Sequence, residues 1–257
     1  MWNIILVNPI LNLLVALYRG VGNLGIALII FTIIVKFAMV PLTIPSIKMA
    51  KKQRDIQPEL DKLKKKFSYD KKKLAEEQML LFKRHGINPG AGCVTTIITF
   101  VFMIAIYNVI SMFTMAKDVQ LINARLYFPS FIFGANEAIN TSFLHLNLTK
   151  PDPFIIVTIL AVITQFIATK MMMPFSQVAD KAVKKTPGQA DDIAQAMQKQ
   201  NLYIMPIMFF VFGLTLPSGV MLYILVSTIF QIVQTYMFSG WGGLKPWLIK
   251  LKFVKRE

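Results

Sequence analysis

The sequence is poor in the residues from which catalytic and metal sites are usually built. It contains one cysteine, Cys93, and two histidines, so the chain forms no internal disulfide and no cysteine metal cluster. His85 and His145 lie far apart, without the spacing of metal ligands. No Walker loop, GxGxxG, HExxH or GxSxG motif occurs. We therefore expect a protein that is not an enzyme and that needs no cofactor.

Charged residues are also scarce, and their balance is one-sided. They make up 16% of the chain, against 55% hydrophobic residues, and the formal net charge is +15. This profile is typical of a protein that crosses the membrane several times. The basic excess favours anionic partners, either lipid headgroups or RNA phosphates, without preference for a specific nucleic-acid sequence.

Long apolar stretches predict an all-α membrane protein with five transmembrane helices. About 20 apolar residues cross a hydrocarbon core of about 30 Å. Asp152 and Pro153 suit the start of the third helix. The fourth stretch is short, since about 16 residues reach only about 24 Å. The predicted spans are 23–47, 89–116, 153–173, 201–217 and 218–238.

Residues 1–22 are apolar but lack the basic start and clear cleavage site of a secretory signal. Leu13, Leu14, Leu17 and Val21 share one helical face. We predict a short amphipathic helix over about residues 9–20 that lies in the membrane interface. An uncleaved extra span is the alternative.

Basic residues in the connecting segments orient the bundle. Segment 48–88 carries 13 lysines and arginines, segment 174–200 carries four and segment 239–257 carries five. Segment 117–152 carries three and residues 1–22 carry one. Because the basic side is normally cytoplasmic, we predict an amino terminus outside and a carboxyl terminus inside. The segment with three basic residues is then an extracytoplasmic loop, and the last 19 residues form a basic cytoplasmic tail.

Segment 48–88 is predicted to form a cytoplasmic αα-hairpin. Two apolar runs recur at helical spacing, and Asp70 between them suits the cap of the second helix. The apolar seam is narrow, so we expect a mobile hairpin. Its basic surface is either a docking surface or a solvated face that only enforces topology. The apolar residues are Ile56, Leu60, Leu63 and Phe67 in the first run and Leu74, Leu81 and Phe82 in the second.

Lys36 is the one ionisable residue in the first span, and it lies near the middle. A central lysine costs about 2.5–3.5 kcal/mol to insert, so it usually faces a watery cavity. Thr32 and Thr43 share its helix face, at i−4 and i+7. Other spans add polar side chains, which we assign to the same water-filled cavity as Lys36, a hydrophilic groove between the helices. They are Thr95, Thr99, Gln165, Gln231 and Gln234.

These polar side chains also have plain structural interpretations. A helical threonine often bonds the carbonyl group four residues earlier, and a membrane glutamine often bonds a neighbouring helix. No predicted span carries an acidic residue, which argues against a proton or cation transporter. Lys36 instead favours an anion, or a carboxylate carried by another molecule.

Several motifs resemble the YidC-type membrane protein insertases. They are NPILNLLVALY, VKFAMVPLT with its mid-span base, KMAKKQRDIQPELDKLKKKF, GINPGAGC and LPSGVMLYILVS, in this order over about residues 9–238. The resemblance implies five spans around a cytoplasm-open groove in a multi-pass protein of the bacterial plasma membrane. It implies that the groove's positive charge attracts the hydrophilic part of a client membrane protein. Lys36 departs from the family, which mostly has arginine at this position.

The resemblance also assigns partners to the basic segments. The hairpin is implied to recruit client membrane proteins, and the tail to contact ribosomes or a Sec-type translocon. The implied docking residues are Lys51, Lys52, Arg54, Lys64, Lys65, Lys66, Lys252, Lys255 and Arg256.

Together these features predict an insertase that moves client segments into the bilayer without covalent chemistry. Two alternatives stay open at this point. One is a small anion channel or transporter in which Lys36 supplies selectivity. The other is a basic membrane anchor for ribosomes, which explains the hairpin and tail but gives Lys36 no purpose.

Overall fold

Helices make up most of the regular structure of the protein. The computed structural model describes residues 2–67, 69–87, 91–115, 119–134, 137–173, 202, 204 and 206–251. Its helices are α1 (Asn8–Val21, continued from a π-helical turn at Asn3–Val7), α2 (Leu24–Asp55), α3 (Gln57–Lys66), α4 (Lys71–Arg84), α5 (Ala91–Met115), α6 (Gln120–Asn123), α7 (Ile156–Met172), α8 (206–213), α9 (Ser218–Ser239) and α10 (Lys245–Lys250). Short 3-10 turns occupy Pro129–Phe131 and Gly242–Leu244, and an antiparallel pair joins β1 (Ser142–Phe143) to β2 (Leu146–Asn147).

α2 is longer than the span predicted from the sequence. That span ended at residue 47, whereas the helix continues to Asp55. Pro41 and Pro45 lie inside the helix. A proline removes one backbone N–H, which membrane helices tolerate because neighbouring groups satisfy the freed carbonyl. At 1.5 Å per residue α2 is about 48 Å long, so part of it lies outside a hydrocarbon core of about 30 Å.

Several described helices are apolar enough to enter a membrane. By length and hydropathy three stretches suffice to cross one, and two further apolar stretches are shorter. The predicted fourth span is helical at residues 202, 204 and 206–213 of its described part. The count of five spans and the interfacial position of residues 1–22 stay predictions. The three longer stretches are Asn3–Val21, Leu24–Asp55 and Ser218–Ser239, and the shorter ones are Phe100–Phe113 and Ile156–Met172.

The chain divides into two compact units, of which the first contains Met1–Val40, Thr96–Gln165 and Ile207–Phe230. One continuous apolar core fills this unit. Its largest fully buried side chains include Leu11, Leu14, Leu24, Leu28, Phe31, Ile106, Ile110, Phe133 and Met221. α1, α2, α5 and α9 therefore each turn an apolar face toward the same core.

α1 packs on this core through Leu11, Leu14 and Val15, and leaves Leu13 and Val21 exposed. The apolar face predicted from the sequence is thus shared between this core and the exterior, and its position in the membrane interface stays a prediction. An almost uniformly apolar helix offers several possible faces, and packing against other helices selects one of them.

Hydrogen bonds tie the segment between α5 and α7 to the amino-terminal helices. The buried Asn12 donates to the carbonyl group of Arg125 over 2.9 Å and accepts the N–H of Tyr127 over 2.7 Å. The N–H of Leu24 donates to the carbonyl group of Asn140 over 3.1 Å. The described part of this segment is therefore held against α1 and α2 of the first unit.

The second unit contains Pro41–Thr95, Phe166–Pro206 and Gln231–Glu257. Within it α3 and α4 pack on each other around a small apolar cluster. The cluster consists of Ile56, Leu60, Leu81 and Ile87, flanked by Met49, Leu63 and Phe82.

Asp70 caps α4, as the sequence predicted. Its Oδ1 accepts the N–H of Lys73 over 3.1 Å. Such a cap satisfies one of the four unpaired N–H groups at a helix start. The start of α4 is thus fixed locally, while the apolar cluster that joins the two helices is small.

The described part of the predicted carboxyl-terminal tail contains regular structure. α10 follows the turn after α9, and its Trp247 ring lies 6.2 Å from the ring of Phe166. The ammonium group of Lys170 lies 5.1 Å from the centre of the same indole ring. The tail is therefore packed against the end of α7 as far as α10.

Candidate functional site

Lys36 lies on α2 in the first unit, half-buried and surrounded in sequence by apolar residues. Within the described part of the chain, no hydrogen bond or salt bridge reaches its ammonium group. The ring of Phe37, the next residue, stands edge-on to Phe230 of α9 at 5.0 Å. The structure thus keeps a cation on a membrane helix without an internal counter-ion among the described residues.

Thr32, one turn before Lys36, is fully buried. Its hydroxyl group donates to the carbonyl group of Leu28 over 2.7 Å. This is the bond to the carbonyl four residues earlier that the structural interpretation of these threonines predicted. The hydroxyl proton of Thr32 is therefore already donated within α2 and is not offered to a ligand.

A polar contact between α7 and α9 was missed by the sequence analysis. The hydroxyl groups of Thr164 and Thr228 lie 2.8 Å apart. Gln165, the residue chosen from the sequence, is the neighbour of Thr164 and is half-buried. Thr164 thus adds a polar contact next to Gln165, whose place in a groove stays a prediction.

In the second unit two of the predicted groove residues meet. Gln234 of α9 donates through its amide nitrogen to the hydroxyl group of Thr43 on α2, over 2.6 Å. Gln234 is buried, whereas Gln231, one turn earlier, is half-buried. The bond is of the helix-to-helix type expected as the structural interpretation of a membrane glutamine.

The remaining predicted groove residues are distributed as follows. Lys36, Thr32 and Gln165 belong to the first unit, and the contact of Gln234 with Thr43 belongs to the second. A single groove that contains all of them stays a proposal. The side chains of Thr95 and Thr99, both on α5, lie outside the described residues.

Arg54, predicted as a docking residue, is already engaged in the structure. Its half-buried guanidinium group donates to the carbonyl group of Met171, and to the carbonyl and hydroxyl groups of Ser239. A Cβ at Gly242, where φ is +52°, would collide with both the guanidinium group and the Met171 oxygen. Arg54 therefore satisfies carbonyl groups at the ends of α7 and α9, which have no partner within their own helices.

The other predicted docking cations differ in accessibility. Lys51, Lys52, Lys65 and Lys66 are exposed, and Lys64 is half-buried. They form a basic surface on the end of α2 and on α3. Lys252, Lys255 and Arg256 lie outside the described residues.

Comparisons with known proteins identify the family. Residues 16–241 match the family model described as "60Kd inner membrane protein". The chain is 30% identical over 225 residues to a protein of Fusobacterium nucleatum named membrane protein insertase YidC, covering 88% of this chain and 90% of that one. It is 31% identical over 244 residues to the membrane protein insertase MisCA of Bacillus subtilis, covering 93% and 79% of the two chains.

A solved structure shares the fold. It is described as an active YidC insertase crystal structure with the first transmembrane domain resolved, and the match has a TM-score of 0.55 at 23% identity. The match covers 86% of this chain but 43% of that one. The mostly helical architecture thus agrees with a YidC fold, and the relatives are bacterial membrane proteins that are not enzymes. This chain is therefore a multi-pass bacterial membrane protein that belongs to the family of YidC-type membrane protein insertases.

Proposed function

We propose that this protein inserts client membrane proteins into the bilayer through a hydrophilic groove, open to the cytoplasm, that carries the positive charge of Lys36. The observation that carries the proposal is the state of this lysine. It is half-buried on an apolar helix, without a partner among the described residues. In a family of insertases, a cation kept in this state is suited to meet an anionic group of the client.

The energies support a transient ion pair rather than a permanent one. An acidic residue costs about 2.5–3.5 kcal/mol at the centre of a membrane helix on insertion scales. A unit charge of opposite sign at 4 Å contributes about 4 kcal/mol at an effective dielectric constant of about 20. The two energies are of similar size, so Lys36 would offset about the whole insertion cost of one client carboxylate without holding it irreversibly.

The other polar side chains then divide into two groups. Thr32, and the pair of Gln234 with Thr43, use hydrogen bonds within and between helices. These bonds hold helices together, and we assign them no contact with the client. Lys36 itself is left as the residue that recognises the client, and this is why a substitution there should affect function more than stability.

Recruitment of the client is assigned to the basic surface formed by Lys51, Lys52, Lys65 and Lys66 and by the carboxyl-terminal tail. These cations would face the cytoplasm in the orientation that the basic segments favour. Lys51, Lys52, Lys65 and Lys66 are exposed, so they can meet anionic groups of a ribosome, a translocon or a client. Because exposed charges are screened by salt, such recruitment should weaken as ionic strength rises.

Insertion assays in reconstituted vesicles test this function. We expect Lys36→Ala to lose insertion of a client with acidic residues in its amino-terminal tail, and Lys36→Arg to keep it. Lys48→Ala is the matched control, since Lys48 is an exposed lysine on the same helix. Equal insertion by Lys36→Ala and the control would refute the role of Lys36. Saturable anion flux through client-free vesicles would instead favour a channel.

A further inference from the structure

The β1–β2 turn contains a leucine where glycine is usual. The strands pair Phe143 with Leu146, so Leu144 and His145 form a two-residue loop. Leu144 has a φ of +52°, and the first loop position of such hairpins is normally taken by glycine or asparagine. Its side chain is also 85% exposed. An apolar residue is thus kept in a strained backbone position without being buried in the protein.

A second strained residue lies close to the same turn. Ile155 has a φ of +59°, which is an outlier for a β-branched residue. The residue before it, Phe154, is 66% exposed. Its ring lies 5.7 Å from the imidazole ring of His145, the neighbour of Leu144. Two exposed apolar side chains therefore flank one histidine at the start of α7.

A buried carboxylate fixes this arrangement. Asp152 is almost fully buried and accepts the N–H groups of Phe154 over 3.1 Å and Val157 over 2.8 Å. The Nε2 atom of His145 lies 3.5 Å from the same carboxylate. Strained backbone persists only where the surrounding structure holds it. The contacts of Asp152 supply that restraint, so the exposure of Leu144 and Phe154 is built into the fold.

The exposed apolar surface continues from Phe154 along α7. Exposed isoleucine and leucine side chains follow on the first two turns, and α7 is an apolar helix of a multi-pass membrane protein. A face of this kind lies against lipid, so its end lies at the level of the headgroups. The exposed residues are Ile156, Ile159, Leu160 and Ile163.

We propose that Leu144 and Phe154 form an interfacial wedge, which inserts into the bilayer where its headgroups meet its acyl chains, at the amino-terminal end of α7. Apolar side chains that enter this region leave water, which is favourable. Burial of these side chains in the interface thus offsets the free-energy cost of the strained turn. It depends on neither the groove nor Lys36, and it holds for either orientation of the chain.

Tryptophan fluorescence tests the wedge in the full-length chain. Trp2, Trp241 and Trp247 are replaced by phenylalanine, and Leu144→Trp is then introduced as the only reporter. Ala138→Trp is the matched control, since Ala138 is exposed in the same segment. The proteins are placed in phosphatidylcholine–phosphatidylglycerol vesicles, with or without bromine on the upper acyl chain.

We expect brominated lipid to quench the fluorescence of Leu144→Trp at least about twice as strongly as that of the control. This is the result for a side chain buried about 5–10 Å into the interface. Acrylamide in the water should quench it less than the control. Phe154→Trp reports the same surface from outside the hairpin and must behave as Leu144→Trp does. If both reporters are quenched by acrylamide as strongly as Ala138→Trp and are insensitive to bromine, the wedge does not exist.

Discussion

The amide nitrogen of Gln234 donates a hydrogen bond of 2.6 Å to the hydroxyl group of Thr43, and so joins α9 to α2 within the second unit. Gln234 is 8% exposed. A polar group buried in a membrane protein needs such a partner, because lipid offers none. The bond therefore belongs to the framework that holds these two helices together.

Gln234→Leu should destabilise the protein modestly. Hydrogen bonds between membrane helices contribute about 0.6 kcal/mol on average and about 1.7 kcal/mol at most. A double-mutant cycle with Thr43→Val, followed by unfolding in detergent, measures the coupling free energy. Gln231→Leu is the control, one turn away on the same helix. A coupling of zero between Gln234 and Thr43 would show that the bond contributes nothing.

Arg54→Ala should destabilise the protein more than Lys52→Ala, because Lys52 is exposed and lies on the same turn of α2. The arginine donates to backbone groups at the ends of two helices, and hydrogen bonds to charged groups contribute about 1.5–3 kcal/mol each.

Arg54→Lys should restore little of the stability that Arg54→Ala loses, since an ammonium group lacks the planar fork that reaches two partners. Thermal unfolding in detergent gives the comparison. Hydrogen exchange at the end of α7 should increase in Arg54→Ala alone. Equal midpoints for the alanine variants of Arg54 and Lys52 would remove the structural role assigned to Arg54.

Gly213→Ala should destabilise the first unit by overpacking. Gly213 is buried, and a Cβ there would overlap the side chain of Thr158, whose hydroxyl group donates to the Gly213 carbonyl group over 3.3 Å. Overpacking of this kind costs about 1–3 kcal/mol.

Thr158→Ala makes room for the new methyl group. The double variant should therefore be more stable than the sum of the two single-variant effects predicts. Unfolding midpoints of the two single variants and the double variant give the answer. Strict additivity would place the clash elsewhere.

The ion pair of Arg19 with Glu137 should make stability depend on pH. The hydrogen bond of 2.5 Å from Arg19 lowers the pKa of Glu137 below its ordinary value, and the hydrogen bond from the N–H of Gly134 lowers this pKa further. A carboxyl group whose pKa is lower in the folded protein stabilises it fully above the unfolded pKa. That contribution is lost as pH falls from about 4.3, the ordinary value for glutamate, through the lower folded value.

The difference in unfolding midpoint between the native protein and Glu137→Gln should therefore shrink below about pH 4. The effect is small because the pair is partly exposed and screened by water. Lys150→Gln, a change of charge in the same loop, is the control. A difference that stays constant across this range would show that Glu137 does not titrate with folding.

The sequence predicted those features that depend on local chemistry. Asp70 caps α4 as expected, because a cap needs only the residues next to it. Thr32 bonds its own helix for the same reason. The predicted span ends at residue 47, where the residues change from apolar to basic, whereas the helix itself continues to Asp55. α2 runs on because helix formation continues outside the membrane wherever the sequence allows it.

The contacts that the sequence did not predict all join residues far apart in the chain. The resemblance to the insertase family implied a docking role for Arg54, whereas its partners in the structure, Met171 and Ser239, are more than a hundred residues away. Those partners act through backbone or hydroxyl oxygens, which leave no charge pattern in the sequence. The pairing of Thr164 with Thr228 is equally invisible, since any threonine on either helix could have supplied it.

Water access to position 36 tests the central claim most directly. Lys36→Cys, in a Cys93→Ser background, is treated with a membrane-impermeant charged thiol reagent from each side of sealed vesicles. We predict rapid modification from the cytoplasmic side and none from the outside, with a second cysteine at exposed Lys48 as the positive control for the cytoplasmic side. Modification from neither side, or from the outside alone, would contradict a groove that opens to the cytoplasm around Lys36.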